Sequence, residues 1–576
     1  MSDKKEKLLK YILLPVLLVA FSLLKVTKGV NLADTTYSLG NYRFFTQSEG
    51  PWFLLTFISN VTGFILMHLP FGKYMLGMNI YSSLIVGALA IMGYRFFITK
   101  MPYWMAFLSQ VAALGMCWAP KSILYHYLTY FLLTFGAIML FRGLAGSRDK
   151  CLYVAGIILG INALVRFPNN GLEVLLIIPA IYYGIITHTN GKDICKWIIK
   201  CVAGYLIGFV LSLLLMSFKY GPYAFINLVN GVSGISNSAS DYTLGSMLLS
   251  ILDAYAHGLR WALYLIVCAL MGVPFFLLFE GKFTKLRKYI YCLCIVFLFF
   301  VLYKWGMFNF KYFQKEAALQ WGVVFLILSI AVDIWVLITK QINNDWKLIG
   351  AMSLIIIIIT PLGSNNYVWP LLNNLFIVAP VTFWMMYRFI CWGRKYLDYS
   401  NKVPLFGIKA MAAATLIMFF IQAFGIGCFY VFAEGEDGIK VDTKVTNSSV
   451  LYGMKTTKDK ADALSGLAEY INAKNDVVID KELILYGNLP GLSYILNMPS
   501  ALNTTWSDLD SNPVENMDEA IKNINGTDVN KRPMVILSRE LNDVPDNSIK
   551  LNLINNYIEN NNYIMTYENN MFVVYE

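Results

Sequence analysis

The sequence predicts an α-helical polytopic membrane protein that carries a C-terminal extracytoplasmic α/β domain. Hydrophobic residues make up 57% of the 576 residues and the mean hydropathy is +0.55, which a soluble globule of this length does not reach. Charge divides the chain as well: residues 432–576 hold 12 basic and 22 acidic side chains, whereas the first 431 hold 34 and 14. We therefore expect a membrane domain at residues 1–431 and a soluble domain at residues 432–576.

Long apolar runs in the basic part predict about thirteen membrane crossings. They lie at residues 8–27, 74–94, 103–118, 122–141, 151–166, 172–187, 197–216, 259–279, 289–304, 319–338, 348–361, 371–388 and 407–431. The basic segment Met1–Lys10 enters the first run without a small-residue cleavage site, so we expect a retained first helix. An odd number of crossings places the N-terminus in the cytoplasm and the acidic tail outside the plasma membrane.

One apolar segment, from Trp52 to Leu69, decides this topology. It is apolar enough to span, but Asn60, His68 and the following Pro70 make it ambiguous. If it spans, the basic pair Arg95 and Lys100 faces outward, together with the next basic cluster along the chain. If it lies in the interface, all basic clusters fall inside, and the positive-inside rule favours this solution.

This topology leaves two long outer loops, at about 28–73 and 217–258. The first contains Asp34 and the in-plane segment. The second begins with a predicted interfacial helix that turns Phe225, Ile226 and Val229 toward lipid, and continues through a Gly/Ser/Asn-rich hinge at 230–240. Loops of this kind commonly gate a site, because flexible segments open at little cost.

The acidic tail shows alternating helix and strand patterns. Helices are predicted around 464–471, 514–524 and 549–558, and strands at 482–486, 534–538, 563–567 and 571–575, the last two as a closing hairpin. We expect this unit to fold separately from the membrane domain. The tail has no nucleotide-binding fingerprint, and we expect no nucleic-acid partner.

Few acidic residues of the membrane part fall on the outer side. They are Asp34, Glu49, Glu173, Asp241, Asp253 and Glu316. Asp34 is the leading candidate for a general base, because Tyr37, Tyr42 and Phe44 beside it can exclude water and bind a sugar face. The alternative is a solvated loop carboxylate, which is common in loops.

Cations near apolar runs on the outer side are candidates to bind a phosphate, and they are Arg43, Arg166, Arg260, Lys304 and Lys311. Arg166 is favoured, because it ends a helix before Phe-Pro. The alternative for each is an anchor to lipid headgroups. Asn365 and Asn366 are candidates to hydrogen-bond sugar hydroxyls, and a plain polar turn is the alternative.

Four features of the sequence resemble a known superfamily. Asp34 stands in the run Ala-Asp-Thr-Thr-Tyr shortly after the first helix, and an in-plane apolar segment follows. The Gly-rich run from Ala155 ends in Arg166, and the tail contains the phrase Tyr-Gly-Asn-Leu-Pro-Gly-Leu-Ser-Tyr at 486–494. This arrangement resembles the GT-C superfamily of polytopic glycosyltransferases, which includes protein O-mannosyltransferases and bacterial aminoarabinose transferases.

The resemblance implies an inverting transferase that moves a sugar from a polyprenyl-phosphate donor to a lipid, glycan or protein acceptor of a bacterial cell envelope. Asp34 would deprotonate the acceptor hydroxyl, and cations would stabilise the leaving phosphate. One departure concerns metal. Several members place a second acid near the outer start of a middle helix, where this chain has Lys121-Ser-Ile-Leu-Tyr-His126. A divalent metal cofactor is therefore left open.

Two functions from other classes stay open at this stage. A lipid-linked-glycan transporter or flippase would need ionisable residues deep in the helices, and Asp333 is the one acid that the sequence places well inside a span. A non-catalytic envelope scaffold could use the same fold, because fold does not fix function.

Overall fold

The computed structural model describes residues 3–47, 50–235, 243–278, 283–396, 404–474, 481–502, 504–509, 511–524, 532–541 and 545–576. Glu49, Asp241 and residues 236–240 of the predicted hinge lie outside these ranges.

Nineteen helices form the described part of the membrane domain. They are α1 (Asp3–Leu8), α2 (Leu14–Ser22), α3 (Asp34–Arg43), α4 (Pro51–Leu55), α5 (Phe57–Met67), α6 (Met75–Phe97), α7 (Tyr103–Gly115), α8 (Leu124–Leu144), α9 (Asp149–Asn162), α10 (Ile178–Ile186), α11 (Gly191–Tyr220), α12 (Ala224–Ile235), α13 (Leu244–Leu277), α14 (Thr284–Lys304), α15 (Glu316–Ile338), α16 (Asn344–Ile359), α17 (Trp369–Leu372), α18 (Val378–Tyr396) and α19 (Phe406–Phe429). A π-helical segment, Leu9–Leu13, joins α1 to α2, and a 3₁₀ segment, Asn169–Ile177, leads into α10.

The helices make the chain a multi-pass membrane protein. Each of the thirteen predicted crossings overlaps a helix, and eight helical segments among the described residues are long and apolar enough to cross a membrane. The total of thirteen stays a prediction. One difference concerns α13, which begins at Leu244, so the second outer loop is shorter than its predicted span and largely helical.

The predicted in-plane segment is divided into two short helices. Thr56 separates α4 from α5 with a non-helical backbone conformation. The longer of the two, α5, has 11 residues, and a helix of that length reaches only about half of a bilayer core of about 30 Å.

Close packing of α9 against α11 fixes the segment that leads to Arg166. Gly156 and Gly160 on α9 face Gly204 and Gly208 on α11, and a Cβ at any of the four would collide with backbone of the opposite helix. Such spacing lets two helices approach closely within a membrane, where small residues favour association. The end of α9 therefore has a rigid support.

The tail is an α/β domain built on one mixed sheet. Its strands are β1 (Thr443–Lys444), β2 (Lys455–Thr456), β3 (Leu483–Tyr486), β4 (Met534–Ser538), β5 (Met565–Glu568) and β6 (Phe572–Tyr575), and its helices are α20 (Lys458–Ala473), α21 (Leu492–Leu496), α22 (Val514–Ile524) and α23 (Pro545–Asn560). The main sheet has the order β3-β4-β6-β5, in which β3 and β4 are parallel and the other pairs antiparallel. A small antiparallel ribbon, β1-β2, stands apart from it.

The two faces of this sheet are covered differently, because successive side chains of a strand point to opposite faces. Ile484 and Val535 lie on the face that packs against α22 and α23. Leu483 and Ile536 lie in a second cluster with α20 and with residues of the first outer loop. Those loop and helix residues are Val30, Leu32, Leu39, Tyr42, Met67, Met75, Met78 and Leu124. One face therefore completes its core only with the membrane domain, and the expectation that the tail folds alone stays a prediction.

Candidate functional site

A cavity of about 290 Å³ lies between the first outer loop, several helices of the bundle and the tail. Its lining comes from Asp34, Tyr37, Ser38, Asn41, Trp52, Leu55, Thr56, Asn60, Trp118, Ala119, Ile123, Tyr125, His126, Arg166, Phe167, Pro168, Asn169, Val232, Met247, Gly363, Asn366, Pro370, Asn373, Phe432, Trp506 and Leu509. We call this space the central cavity. It brings together Asp34, Tyr37, Arg166 and Asn366, four of the candidates taken from the sequence.

Asp34 begins α3 and faces the central cavity. A carboxylate is favoured in the first turn of a helix, because the helix dipole places positive charge there. The side chain of Asn31 accepts a hydrogen bond from Thr35 N at 3.1 Å and so helps to begin the helix. Burial raises the pKa of the Asp34 carboxyl above its ordinary value, while its own backbone N–H and the charge of Lys315 oppose that shift. A half-buried carboxylate with a raised pKa is a better proton acceptor than a solvated one.

Tyr37 stands one turn after Asp34 on the same helix. Its ring meets Trp506 of the tail edge to face, with the ring centroids 5.2 Å apart. Its hydroxyl forms hydrogen bonds with Asn41 and Thr504, and burial raises the pKa of that hydroxyl. The pair of rings forms an aromatic wall beside the carboxylate.

Arg166 lies beyond the end of α9 and also lines the central cavity. Its guanidinium stands 5.5 Å from the ring centroid of Tyr125, within the range of a cation–π contact. The backbone on either side is tied down: Phe167 N donates to Leu55 O at 2.8 Å, and Asn170 N donates to Arg166 O at 3.0 Å. In the described ranges no salt bridge engages Arg166, so its charge is available to an anion in the cavity.

A polar cluster supports the helix segments behind Arg166. Asn162 Nδ2 donates to Glu173 Oε2 at 2.6 Å and to Thr129 O at 3.0 Å, and Asn170 Nδ2 donates to Thr129 Oγ1 at 2.7 Å. Glu173 is buried in this cluster and lines a small side pocket that Arg166 also borders. It is one of the six outer acids, and it does not line the central cavity.

Lys315 is a cation that the sequence analysis missed. Its ammonium lies 5.6 Å from the ring centroid of Trp118, and its charge acts on Asp34. Trp118 in turn is fixed by Asn373, whose Oδ1 accepts from Trp118 N at 3.0 Å. Lys315 directly precedes α15, and this position at a helix start is the signal that could have identified it. The sequence prediction names Lys311 in the same stretch instead.

The two asparagines at 365 and 366 separate in the structure. Asn366 lines the central cavity and Asn365 does not. The turn that holds them is tied to the start of the 3₁₀ segment, because Asn169 Nδ2 donates to Gly363 O at 2.6 Å.

Four of the five predicted phosphate-binding cations, Arg43, Arg260, Lys304 and Lys311, do not line the central cavity. The guanidinium of Arg43 donates to Asn497 Oδ1 and to Lys73 O and lies over the Tyr494 ring, so it joins α3 to the tail. Arg260 lies 4.5 Å from the Trp261 ring and Lys304 lies 5.6 Å from the Phe300 ring, both on exposed helix surfaces. Their placement favours anchoring roles.

The tail positions the start of α3 through its phrase at 486–494. Gly491 N donates to Leu32 O at 2.9 Å, and a Cβ at Gly491 would overlap the side chain of Thr36. Tyr494 at the end of the phrase donates to Lys73 O at 3.2 Å. Only glycine at position 491 leaves room for Thr36, so the phrase at 486–494 sets the position of the helix that carries Asp34.

The donor set of the central cavity does not itself form a divalent metal site. Asp34 is the one carboxylate among its lining residues, and His126 is the one imidazole. Across the described ranges, no group of three or more His, Cys, Asp or Glu side chains is suited to hold a metal ion. Hard cations such as Mg²⁺ and Ca²⁺ prefer several oxygen ligands. Arg166 is the one Arg or Lys among the described residues that line the cavity, and the charge of Lys315 acts on Asp34 from beyond that lining.

No family model and no curated protein matches this sequence. Among solved structures, the chain is similar to ArnT from Cupriavidus metallidurans bound to undecaprenyl phosphate, with a TM-score of 0.48 and 11% identity over 100% of this chain and 98% of that one. It is also similar to the apo oligosaccharyltransferase of Archaeoglobus fulgidus, with a TM-score of 0.47 and 10% identity over 93% and 70% of the two chains. A third similar structure is AglB from the same archaeon with an inhibitory peptide and a dolichol-phosphate, with a TM-score of 0.42 and 9% identity over 92% and 70%. These TM-scores are under 0.5, so the proposed function rests on the residues of this chain.

Proposed function

We propose that this chain is a membrane glycosyltransferase that moves a sugar from a polyprenyl-phosphate donor to a hydroxyl of a cell-envelope acceptor. One observation carries the proposal: the central cavity joins a half-buried carboxylate, an unpaired guanidinium and an aromatic wall. A base, an anion site and a stacking surface are the three groups that sugar transfer from a phosphate ester requires.

In the proposed reaction, Asp34 and Arg166 have separate roles. The acceptor oxygen attacks C1 of the donor sugar from the face opposite the phosphate, and Asp34 takes the hydroxyl proton as the new C–O bond forms. The bond between C1 and the phosphate oxygen breaks, and the phosphate leaves with the electron pair. Arg166 stabilises the charge that develops on this phosphate. Inversion at C1 follows, since attack and departure occur on opposite faces.

The surroundings of the central cavity fit a lipid-linked donor. Val232 of α12 and Met247 of α13 line it. Helix α12 has 12 residues and exposes Phe225, Ile226 and Val229, as an amphipathic helix at a lipid interface does. A polyprenyl chain could therefore lie along α12 while its phosphate enters the cavity.

Turnover of a defined donor panel tests the proposal. Purified full-length protein in lipid nanodiscs is incubated with undecaprenyl-phosphate hexoses and pentoses and with envelope lipid, glycan and protein fractions, and released undecaprenyl phosphate is measured by mass spectrometry. We expect release with the wild type and loss in Asp34→Asn. Asp253→Asn is the matched control, because Asp253 is an exposed acid beside His257 and does not line the central cavity. Equal release by Asp34→Asn and wild type would overturn the proposal.

The proposed orientation places the N-terminus in the cytoplasm and the tail and central cavity outside the plasma membrane. It rests on the positive-inside distribution of basic clusters. Single cysteines at Ser147 and Ser448, in a background without the nine native cysteines, test it. We expect a membrane-impermeant reagent to label intact cells at position 448 only. Equal labelling of both positions would contradict the topology.

A further inference from the structure

A second, smaller chamber adjoins the central cavity. It holds about 100 Å³ and shares Trp118, Ala119 and Phe432 with the central cavity as a common wall. Thr35, the residue after Asp34, also lines it. We call this space the lysine chamber, because Lys25, Lys28 and Lys121 line it.

The charge of the lysine chamber is unbalanced. Among the described residues that line it there is no carboxylate. Lys25 and Lys121 are half-buried and close enough for their charges to act on each other. Glu434, which follows the lining residues Val431 and Phe432 in the chain, is already engaged by Val30 N, Thr456 and Lys460. Burial lowers the pKa of Lys25 to about 7 and the pKa of Lys121 to about 8, and a bound anion would favour the charged form of both.

The two ammonium groups are held in place and keep free donors. Lys25 Nζ donates to Ile426 O at 3.0 Å and to Tyr430 O at 2.6 Å, at the end of α19. Lys121 Nζ donates to Ser22 O, at the end of α2. These contacts satisfy helix-terminal carbonyls, as lysines near helix ends do. An ammonium has three N–H donors, so the described contacts leave one donor on Lys25 and two on Lys121.

We infer that the lysine chamber is a second anion subsite, and that it binds a phosphate group carried by the acceptor. Only the assignment to the acceptor rests on the proposed function, in which Arg166 binds the donor phosphate in the central cavity. An acceptor phosphate bound by Lys25 and Lys121 would lie behind the wall of Trp118 and Phe432. A hydroxyl of the same acceptor could then approach Asp34, because the next residue, Thr35, borders the lysine chamber.

Binding of a small phosphate ester tests the subsite directly. Full-length protein in nanodiscs is titrated with glycerol 3-phosphate by isothermal calorimetry, with glycerol as the uncharged probe. We expect binding of the phosphate ester only, and at least tenfold weaker binding in Lys25→Gln and Lys121→Gln. Lys311→Gln is the matched control, because Lys311 is exposed and lines neither cavity, and it should bind as the wild type does.

Two further arms separate the alternatives. Lys121→Arg keeps the charge and should bind within a few-fold of wild type; an equal loss in Lys121→Arg and Lys121→Gln would assign the position to the fold and overturn the inference. Titration with undecaprenyl phosphate distinguishes the source of the phosphate. We expect Arg166→Gln to weaken its binding and Lys121→Gln to leave it unchanged, and the reverse result would assign the chamber to the donor. None of these measurements depends on turnover, so failure of the proposed reaction would be seen separately.

Discussion

The central cavity has two walls that the molecule supports in different ways. The wall with Asp34 and Tyr37 belongs to a short helix outside the bundle, and contacts with the tail through Gly491, Trp506 and Arg43 hold it. The wall with Arg166 is held within the bundle by glycine-mediated packing of α9 on α11 and by Asn162 and Glu173. The helix of the base is thus held by the tail as well as by the bundle, where Tyr42 donates to Ser122 O, whereas the described contacts of the Arg166 segment lie within the membrane domain.

Substitution of the base should give the largest effect. Asp34→Asn keeps size and most hydrogen bonds but removes the basic lone pair, so we expect kcat to fall about 10²–10⁴-fold. Asp34→Glu should recover little, because one extra methylene moves the oxygen by about 1 Å and spoils the attack geometry. Steady-state turnover measures both. Retention of activity within a few-fold in Asp34→Asn would place the base elsewhere.

Substitution on the bundle wall should act on the donor. Arg166→Ala removes one charge-assisted contact worth about 2 kcal/mol, which corresponds to roughly 30-fold weaker binding of undecaprenyl phosphate. Arg166→Lys should retain part of it, because the charge remains while the bidentate fork is lost. Equilibrium titration gives the affinities. Unchanged affinity in Arg166→Ala would assign the residue to membrane anchoring.

A change in the tail should affect the base wall and spare the other. Gly491→Ala places a Cβ against Thr36 and displaces the start of α3. We expect kcat to fall about tenfold, since a displacement of about 1 Å near the chemistry can cost up to 10²-fold, while the affinity for undecaprenyl phosphate stays unchanged. Gly191→Ala is the control, because nothing lies within 4 Å of its Cβ position. A parallel loss of donor affinity would show that the two walls are coupled.

The sequence predicted the parts of the molecule that rest on local patterns. Long apolar runs located the helices of the bundle, and short apolar runs located β3 and β4 to within a residue. Asp34, Arg166 and Asn366 were selected singly, each beside an apolar run, and the fold brings them to one cavity.

Contacts between residues far apart in the chain could not be predicted in this way. The sequence predicts Arg43 as a phosphate ligand, yet its guanidinium binds Asn497 in the tail, 454 positions away. Lys315 and Trp506 reach the site of Asp34 from distant elements, and no periodicity or spacing in a single sequence reports such pairs. The dependence of the base wall on the tail is a tertiary property of the same kind.

The smallest expected effect concerns pH and stability at Asp34. Burial raises the pKa of its carboxyl, so the ionised form is disfavoured in the folded protein relative to the unfolded chain. For a group with a raised folded-state pKa, its contribution to stability is full below the unfolded pKa and is lost as pH rises through the folded value. At neutral pH wild-type Asp34 therefore costs folding free energy, and Asp34→Asn should melt at the same temperature or slightly higher.

Below that raised pKa the base is protonated, so the acid limb of kcat should lie above the pKa of an ordinary aspartate, about 3.9. Thermal melts and a pH profile of turnover test these two expectations. A lower melting temperature in Asp34→Asn at neutral pH would show that the carboxylate holds α3 in place, and the loss of activity in that variant would then need a structural explanation.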